Sequence, residues 1–103
     1  MRVRVCKATE LTPGMVTRVE LDGTPVAVVN VDGSFYAVAD TCTHEEASLS
    51  EGEVEDDTIE CPKHGAVFHL PTGEVRSLPA TKPVATFATT VEDEDLYVEA
   101  SDG

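Results

Sequence analysis

The sequence is poor in basic residues and in long apolar runs, and each shortage excludes a class of protein. Seven Lys and Arg stand against 20 Asp and Glu, so the formal net charge is −13. Nucleic-acid binding needs a basic face that neutralises phosphates, and an anionic membrane surface repels a chain of this charge. No apolar run in the sequence approaches the roughly 18 residues of a transmembrane helix. We therefore expect neither nucleic acid nor a membrane among its partners.

Cysteine is also scarce, with three residues in the chain of 103. An odd number without a secretory signal argues against a disulfide framework. The first seven residues alternate like a strand and contain no apolar signal core, so we expect a cytoplasmic location. Cys6 is interpreted as a half-buried thiol in the first strand. At this length we expect one domain over residues 1–103.

Turn signals divide the chain into short β-rich runs. They are the dipeptides at 13–14, 22–23, 32–33, 51–52 and 72–73 and the acidic cluster at 92–95. Nine short strands at this spacing predict an all-β antiparallel sandwich or barrel. The predicted strands are Arg2 to Lys7, Met15 to Leu21, Pro25 to Val31, Ser34 to Ala39, Thr58 to Glu60, Val67 to Leu70, Glu74 to Arg76, Ala85 to Val91 and Leu96 to Glu99. A single helical turn is predicted between Glu10 and Met15.

Two short runs, Cys42-Thr43-His44 and Cys61-Pro62-Lys63-His64-Gly65, each contain one cysteine and one histidine. Two thiolates with two imidazoles are the ligand set of a Rieske [2Fe–2S] centre. Cys42 with Cys61 would hold one iron, and His44 with His64 would hold the other. The two runs must then be facing loops. Structural zinc is the alternative, but zinc fingers usually group like ligands as C-x₂₋₄-C and H-x₃₋₅-H, so the mixed runs favour the cluster.

The residues around these runs allow two interpretations each. Glu45 to Glu60 holds eight acidic residues in sixteen and no Lys or Arg, which fits either a solvated loop or an electrostatic guide beside the cluster. Lys63 is either a partner contact or an exposed residue with local salt bridges. Leu49 and Pro79 form either an apolar rim or packing that shields the cluster. His69 is interpreted as a solvent-facing strand residue.

The chain resembles the Rieske-type ferredoxins of bacterial aromatic-ring-hydroxylating dioxygenase systems, of the biphenyl, toluene and carbazole kind. The resemblance covers almost the full length, and besides the two ligand runs it is carried by the segments 30–38, 72–75, 78–80 and 96–98 and by Phe68. It implies the Rieske fold, with three antiparallel β-sheets and a small cluster-binding subdomain at about 41–80. It also implies that His44 and His64 sit at an exposed tip, with Leu78-Pro79-Ala80 as the loop covering the cluster's other side.

Departures from high-potential respiratory Rieske proteins predict a low reduction potential. Those proteins carry an extra cysteine in each ligand run, where this chain has Ala47 and Lys63, so that disulfide cannot form. They also place a serine and a tyrosine near the cluster, where this chain has Ala66 and Phe68. Hydroxyl donors stabilise the reduced cluster, so their loss lowers the potential toward the lower end of the Rieske range, roughly −150 to +300 mV.

The sequence also limits the chemistry. No G-x-G-x-x-G or G-K-[ST] loop is present to bind a nucleotide, and only His69 remains to bind the second iron of an oxygenase. With the resemblance, this predicts a monomeric one-electron carrier rather than an enzyme. It would dock transiently with an NAD(P)H-dependent reductase and then with a terminal oxygenase. The alternative is a small Rieske subunit of a nitrite-reductase-type enzyme, which should expose a large apolar patch.

Overall fold

The structure is a computed structural model that describes residues 2–40, 48–62, 65–77 and 83–100. These ranges contain ten β-strands and two short 3₁₀ turns, Ala8–Glu10 and Leu49–Glu51. The strands are β1 (Arg2–Lys7), β2 (Val16–Leu21), β3 (Thr24–Val31), β4 (Ser34–Ala39), β5 (Glu53–Glu55), β6 (Thr58–Glu60), β7 (Val67–His69), β8 (Val75–Ser77), β9 (Thr86–Glu92) and β10 (Asp95–Glu99). Within these ranges no helix has the length and apolar character needed to cross a membrane.

The described strands form antiparallel sheets, as predicted, but two of the three expected sheets are joined into one through β9. Six strands are hydrogen-bonded in the order β1-β10-β9-β4-β3-β2. Phe87 and Thr86 at the start of β9 pair with Ala37 and Val38 of β4, while the rest of β9 pairs with β10. The four remaining strands form a separate sheet with the order β5-β6-β7-β8. It follows the first ligand run and contains the second.

Asp residues with positive φ close three of the hairpins. Asp22, Asp32 and Asp93 have φ of 52, 49 and 49°, and each starts a two-residue connection between paired strands. Asp tolerates this left-handed conformation better than most residues, and such turns match the twist of the flanking strands. The Asp-Gly signals in the sequence therefore mark the turns correctly.

Strand β3 lies between two hydrophobic clusters. Val26 and Val28 belong to a cluster with Leu21, Leu96 and Val98. Ala27 and Val29 point the other way, into a cluster that contains Leu49, Ile59, Cys61, Phe68 and Leu70. Because successive side chains of a strand point to opposite faces, a nearly continuous apolar run is what a strand buried on both sides requires. The second cluster places Cys61 in the core.

Two local predictions were wrong. The helical turn expected between Glu10 and Met15 lies instead at Ala8–Glu10, since the Glu10 carboxylate accepts the Lys7 backbone N–H at 2.9 Å. Strand β5 was not predicted at all, because its sequence contains one apolar residue between two glutamates. It forms by pairing with β6, with Val54 opposite Ile59.

Candidate metal centre

Of the four predicted ligands, the structure describes Cys61. Cys42, His44 and His64 lie outside the described residues, as do Ala47, Lys63 and the 78–80 segment. The site is therefore built from Cys61 and from the residues on either side of the undescribed segments.

Cys61 directly follows β6 and begins a tight turn. Its backbone N–H donates to the Ala66 carbonyl at 2.7 Å, and the Gly65 N–H donates to the Cys61 carbonyl at 3.0 Å. Gly65 has a φ of +74°, and a Cβ there would lie 3.3 Å from a Glu60 carboxylate oxygen. The turn thus needs glycine on conformational grounds, and the neighbour leaves little space for a side chain.

Cys61 belongs to one of the two hydrophobic clusters of the core. Cys61 is 1 % exposed, and Ala66 and Phe68 are fully buried in the same cluster. Neither side chain carries a hydroxyl, so neither can donate a hydrogen bond to sulfur. A cysteine at this position suits an iron–sulfur cluster, whose irons are held by cysteine thiolates. Among the described residues, no group of three or more His, Cys, Asp or Glu is placed to hold a metal ion.

The chain that leaves the first ligand run lies against the strand that enters the second. A Cβ on Gly52 would stand 1.8 Å from the Glu60 carbonyl oxygen, so the two backbones touch. Leu49 is fully buried in the cluster that contains Cys61. It therefore packs in the core rather than forming an apolar rim. The fold brings the flanks of the two runs together, as facing ligand loops would require.

Carboxylates surround the opening beside Cys61. A cavity of about 320 Å³ is lined by Glu51, Gly52, Glu53, Glu60, Cys61 and Pro62. Residues 48–60 are not the solvated loop that one interpretation of the acidic segment described, since they form a 3₁₀ turn and the β5–β6 hairpin. The backbone that carries this acidic charge is thus a hairpin next to Cys61.

Asp40 is a buried carboxylate at the end of β4, just before the first ligand run. Its side chain is 3 % exposed and lies 3.1 Å from the Arg18 guanidinium. One oxygen accepts the Ser50 backbone N–H at 2.7 Å, and the other accepts the Ser48 hydroxyl. The sequence pattern assigns no role to Asp40 or Arg18. The available signal was a charged residue directly after an apolar strand.

The chain around residues 78–82 is also anchored. The Val84 N–H donates to the Gly73 carbonyl at 2.9 Å, joining the chain before and after this segment. Gly73 has a φ of +76°, and a Cβ there would lie 2.1 Å from the Val84 carbonyl oxygen. Each of the three undescribed internal segments is therefore bordered by close backbone contacts.

His69 is not the solvent-facing residue that was predicted. Its side chain is 15 % exposed, and its two ring nitrogens lie 2.8 Å from the Thr72 hydroxyl and 2.8 Å from an Asp57 carboxylate oxygen. The hydrogen bond from His69 lowers the pKa of Asp57. The imidazole links β7 to the β5–β6 turn. This contact forms because the hairpin brings Asp57 close to His69, so the sequence around His69 does not reveal it.

Cys6 is half-buried in β1, as predicted, and burial raises the pKa of its thiol. A thiol whose pKa is raised has little of the reactive thiolate at neutral pH. It belongs to the strand and not to the candidate centre.

Residues 1–88 match the model of the Rieske [2Fe-2S] domain. The chain belongs to the Rieske [2Fe–2S] family and carries a cluster of the Rieske type. It is an electron-transfer protein, and the catalysis of the systems in which its relatives work is not its own.

The similar proteins are ferredoxins of aromatic dioxygenases. The chain is 41 % identical over 100 residues to the ferredoxin component of biphenyl 2,3-dioxygenase from Rhodococcus jostii RHA1, covering 97 % of this chain and 94 % of the relative. It is 44 % identical to the ferredoxin subunit of 3-phenylpropionate/cinnamic acid dioxygenase from Shigella boydii, covering 95 % and 92 %. A chain in the complex of reduced oxygenase and oxidized ferredoxin of carbazole 1,9a-dioxygenase superposes with a TM-score of 0.91 and 44 % identity, covering 94 % and 100 %.

The likeness to nitrite reductase subunits is weaker. A putative NADH-dependent nitrite reductase small subunit from Mycobacterium tuberculosis has a TM-score of 0.86 and 26 % identity, covering 95 % of this chain and 93 % of that one. Among the described residues, the large apolar side chains that are exposed are Met15 and Val91. Two such side chains are ordinary for a monomer and do not form the patch that a permanent subunit interface needs.

Proposed function

We propose that Cys42, His44, Cys61 and His64 hold one [2Fe–2S] cluster, within a cluster-binding subdomain at about 41–80 of a single domain spanning 1–103. The observation that carries this proposal is Cys61, a buried thiol at a tight turn whose flank touches the flank of the first ligand run. Thiolates from Cys42 and Cys61 would bind one iron, and imidazoles from His44 and His64 the other. The cluster supplies a one-electron couple when bound.

Substitution of His64 by cysteine tests the ligand set against a matched control. His64→Cys replaces a neutral imidazole with a thiolate, so the paramagnetic resonance spectrum of the reduced protein should change. His69→Cys makes the same replacement at a histidine that we assign to Asp57 and Thr72, and its spectrum should match that of the unmodified chain. An unchanged His64→Cys spectrum would contradict the ligand role of His64.

We further propose that the protein passes single electrons from an NAD(P)H-dependent reductase to the terminal oxygenase of an aromatic-ring dioxygenase system. Two ferric ions, two sulfides and two thiolates sum to zero charge, and reduction adds one negative charge. The support is the ferredoxin role of its relatives and the oxygenase–ferredoxin complex of carbazole 1,9a-dioxygenase. The acidic surface favours brief, charge-guided docking of a monomer in the cytoplasm, with the two partners bound in turn.

Stopped-flow mixing tests the carrier role. The reduced protein is mixed with the oxidised oxygenases of the biphenyl and carbazole systems, and the absorbance of its cluster is followed. Reoxidation by at least one of them within milliseconds to seconds is the expected result, with Cys61→Ser as the control that has lost a cluster ligand. No reoxidation by either oxygenase would contradict the carrier role.

Size-exclusion chromatography with light scattering tests the oligomeric state, and the eluted protein should have the mass of a monomer.

A further inference from the structure

The hydrogen bonds of Asp40 join the two ends of the segment that contains Cys42 and His44. Asp40 is the last residue before the 41–47 segment, and Ser48 is the first residue after it. The backbone N–H of Leu49 donates to the Asp40 backbone carbonyl, and the Ser50 N–H donates to the Asp40 side chain. The described chain on the two sides of the segment is therefore joined through Asp40.

Both oxygens of the Asp40 side chain have partners. One accepts from the Ser50 N–H, and the other accepts from the Ser48 hydroxyl and forms an ion pair with the Arg18 guanidinium. Because the single hydroxyl hydrogen of Ser48 goes to Asp40, the Ser50 hydroxyl must donate to the Ser48 oxygen, 2.7 Å away. The result is one connected network from β2 through the end of β4 to the 3₁₀ turn at Leu49–Glu51.

A buried charge of this kind is expensive for the fold. A carboxylate removed from water is tolerated when ion pairs and hydrogen bonds satisfy its oxygens, and an apolar replacement would often be as stable. Such groups are kept where they fix one arrangement of the chain. Residues that hold metal ligands in orientation from outside the ligand shell commonly tune the metal itself.

We propose that Asp40 is the positioning residue for the first ligand run, which contains Cys42 and His44, because it holds together the chain before and after the 41–47 segment. The inference rests on the proposed ligand role of these two residues. Arg18 partly neutralises the Asp40 charge from the exposed side, as its side chain is 54 % exposed. Asp40 precedes Cys42 by two residues in the sequence, so we expect its charge to act on the reduction potential.

Two substitutions should move the potential in opposite directions. Asp40→Asn removes a negative charge, so the reduction potential should rise. It also places an N–H₂ group against hydrogen-bond donors, which weakens the bond from the Ser50 amide. That amide should exchange about tenfold faster, because a hydrogen bond to a charged group usually contributes at least this much. Ser48→Ala changes no formal charge but removes a donor from the carboxylate. Its more exposed negative charge should lower the potential, and the amides at 48–52 should also exchange faster.

The matched controls are Asp32→Asn and Ser34→Ala, at exposed positions in or beside the β3–β4 turn. Potentials are measured by protein-film voltammetry, and exchange by mass spectrometry of the peptide spanning 48–52. A residue that only stabilised the fold would leave both potentials at the control values, which would overturn the proposal. If Asp40→Asn fails to assemble a cluster, Ser48→Ala alone tests the proposal. A lowered potential would support the role of Asp40, and an unchanged or raised potential would contradict it.

Failure of the ligand assignment gives a different result. If the unmodified protein shows the resonance of an all-thiolate cluster, the proposed ligands are wrong whatever Asp40 does. If it shows mixed thiolate and imidazole ligation, and neither variant differs from its control, the ligands stand and the positioning role of Asp40 is wrong.

Discussion

Glu53 lies directly opposite Glu60 in the antiparallel pairing of β5 with β6. Like charges in this position destabilise a sheet by roughly 0.2–1 kcal/mol. Both carboxylates also line the cavity beside Cys61. The chain thus keeps an unfavourable pair at the edge of its redox site, which suggests that the charge serves an encounter with a basic partner surface.

Substitution of Glu53 by lysine should raise stability and slow electron transfer. Glu53→Lys turns a repulsive cross-strand pair into an attractive one, so the free energy of unfolding should rise by about 0.5 kcal/mol. The same change removes negative charge beside Cys61, so electron transfer to the oxygenase should slow several-fold at low salt and converge with the unmodified protein at high salt. Denaturant titration and stopped-flow kinetics measure the two effects.

Glu20→Lys is the matched control for this charge reversal, because Glu20 is exposed on β2 and lies opposite Pro25 of β3. It makes the same change in net charge away from the site. Equal slowing by both variants, or rates that do not depend on ionic strength, would mean that the acidic cavity does not guide docking.

Substitution of Ala66 by serine should raise the reduction potential. The new hydroxyl would stand beside the Cys61 turn and could donate to sulfur, which favours the more negative, reduced cluster. A donor worth about 1.4 kcal/mol corresponds to about 60 mV for one electron. Voltammetry of Ala66→Ser is compared with Ala88→Ser, an exposed position on β9 whose potential should not change. A negligible shift in Ala66→Ser would argue against the hydrogen-bond account of the low potential.

The pKa of Asp57 should depend on His69. The hydrogen bond from His69 lowers the pKa of Asp57 from its ordinary 3.8, so ionised Asp57 adds stability above that pH and loses it as the pH falls through the lowered value. His69→Val should return the pKa of Asp57 toward 3.8, as measured by NMR titration of the carboxyl carbon. Asp56 is exposed in the same turn and serves as the internal control. An Asp57 pKa that stays depressed in His69→Val would exclude His69 as the cause.

Substitution of Gly73 by alanine should be strongly destabilising. Its Cβ would lie 2.1 Å from the Val84 carbonyl oxygen, and its φ of +76° adds strain, so a loss above about 4 kcal/mol is expected. Gly33→Ala has a φ of +93° but no atom within 4 Å of the new Cβ, so the conformational cost alone, roughly 1–2 kcal/mol, should appear. Similar denaturation midpoints for the two variants would show that the chain around Val84 moves aside.

Much of the fold was predictable because its turns are encoded locally. Asp22 and Asp32 each start a two-residue connection, and the predicted strands beside them agree with β2, β3 and β4 to within one residue at each end. Strand β5 was missed because its pairing partner, and not its composition, makes it a strand. The available signal for a hairpin was the Asp56-Asp57 pair between Glu53–Glu55 and Thr58–Glu60. Asp56 has a φ of 52° in this turn.

The types of ligand in the candidate site could be predicted from the sequence. The hydrogen bonds and ion pairs of the residues around the site were less predictable. Cysteine and histidine at fixed spacing name a cluster because iron chemistry restricts the ligands. The partners of Asp40 and His69 could not be predicted in this way. Arg18 reaches Asp40 from β2, and Asp57 reaches His69 across a hairpin, so both contacts exist only after the strands have paired.

Strand β3 contributes alternate side chains to both hydrophobic clusters, so the two clusters share this strand. We expect the two clusters to unfold together, because a chain that loses β3 from one cluster loses it from the other as well. The cluster that contains Cys61 therefore depends for its stability on the cluster that contains Leu96 and Val98. Denaturation should follow a single cooperative transition, with the cluster released in the same step as the distant core.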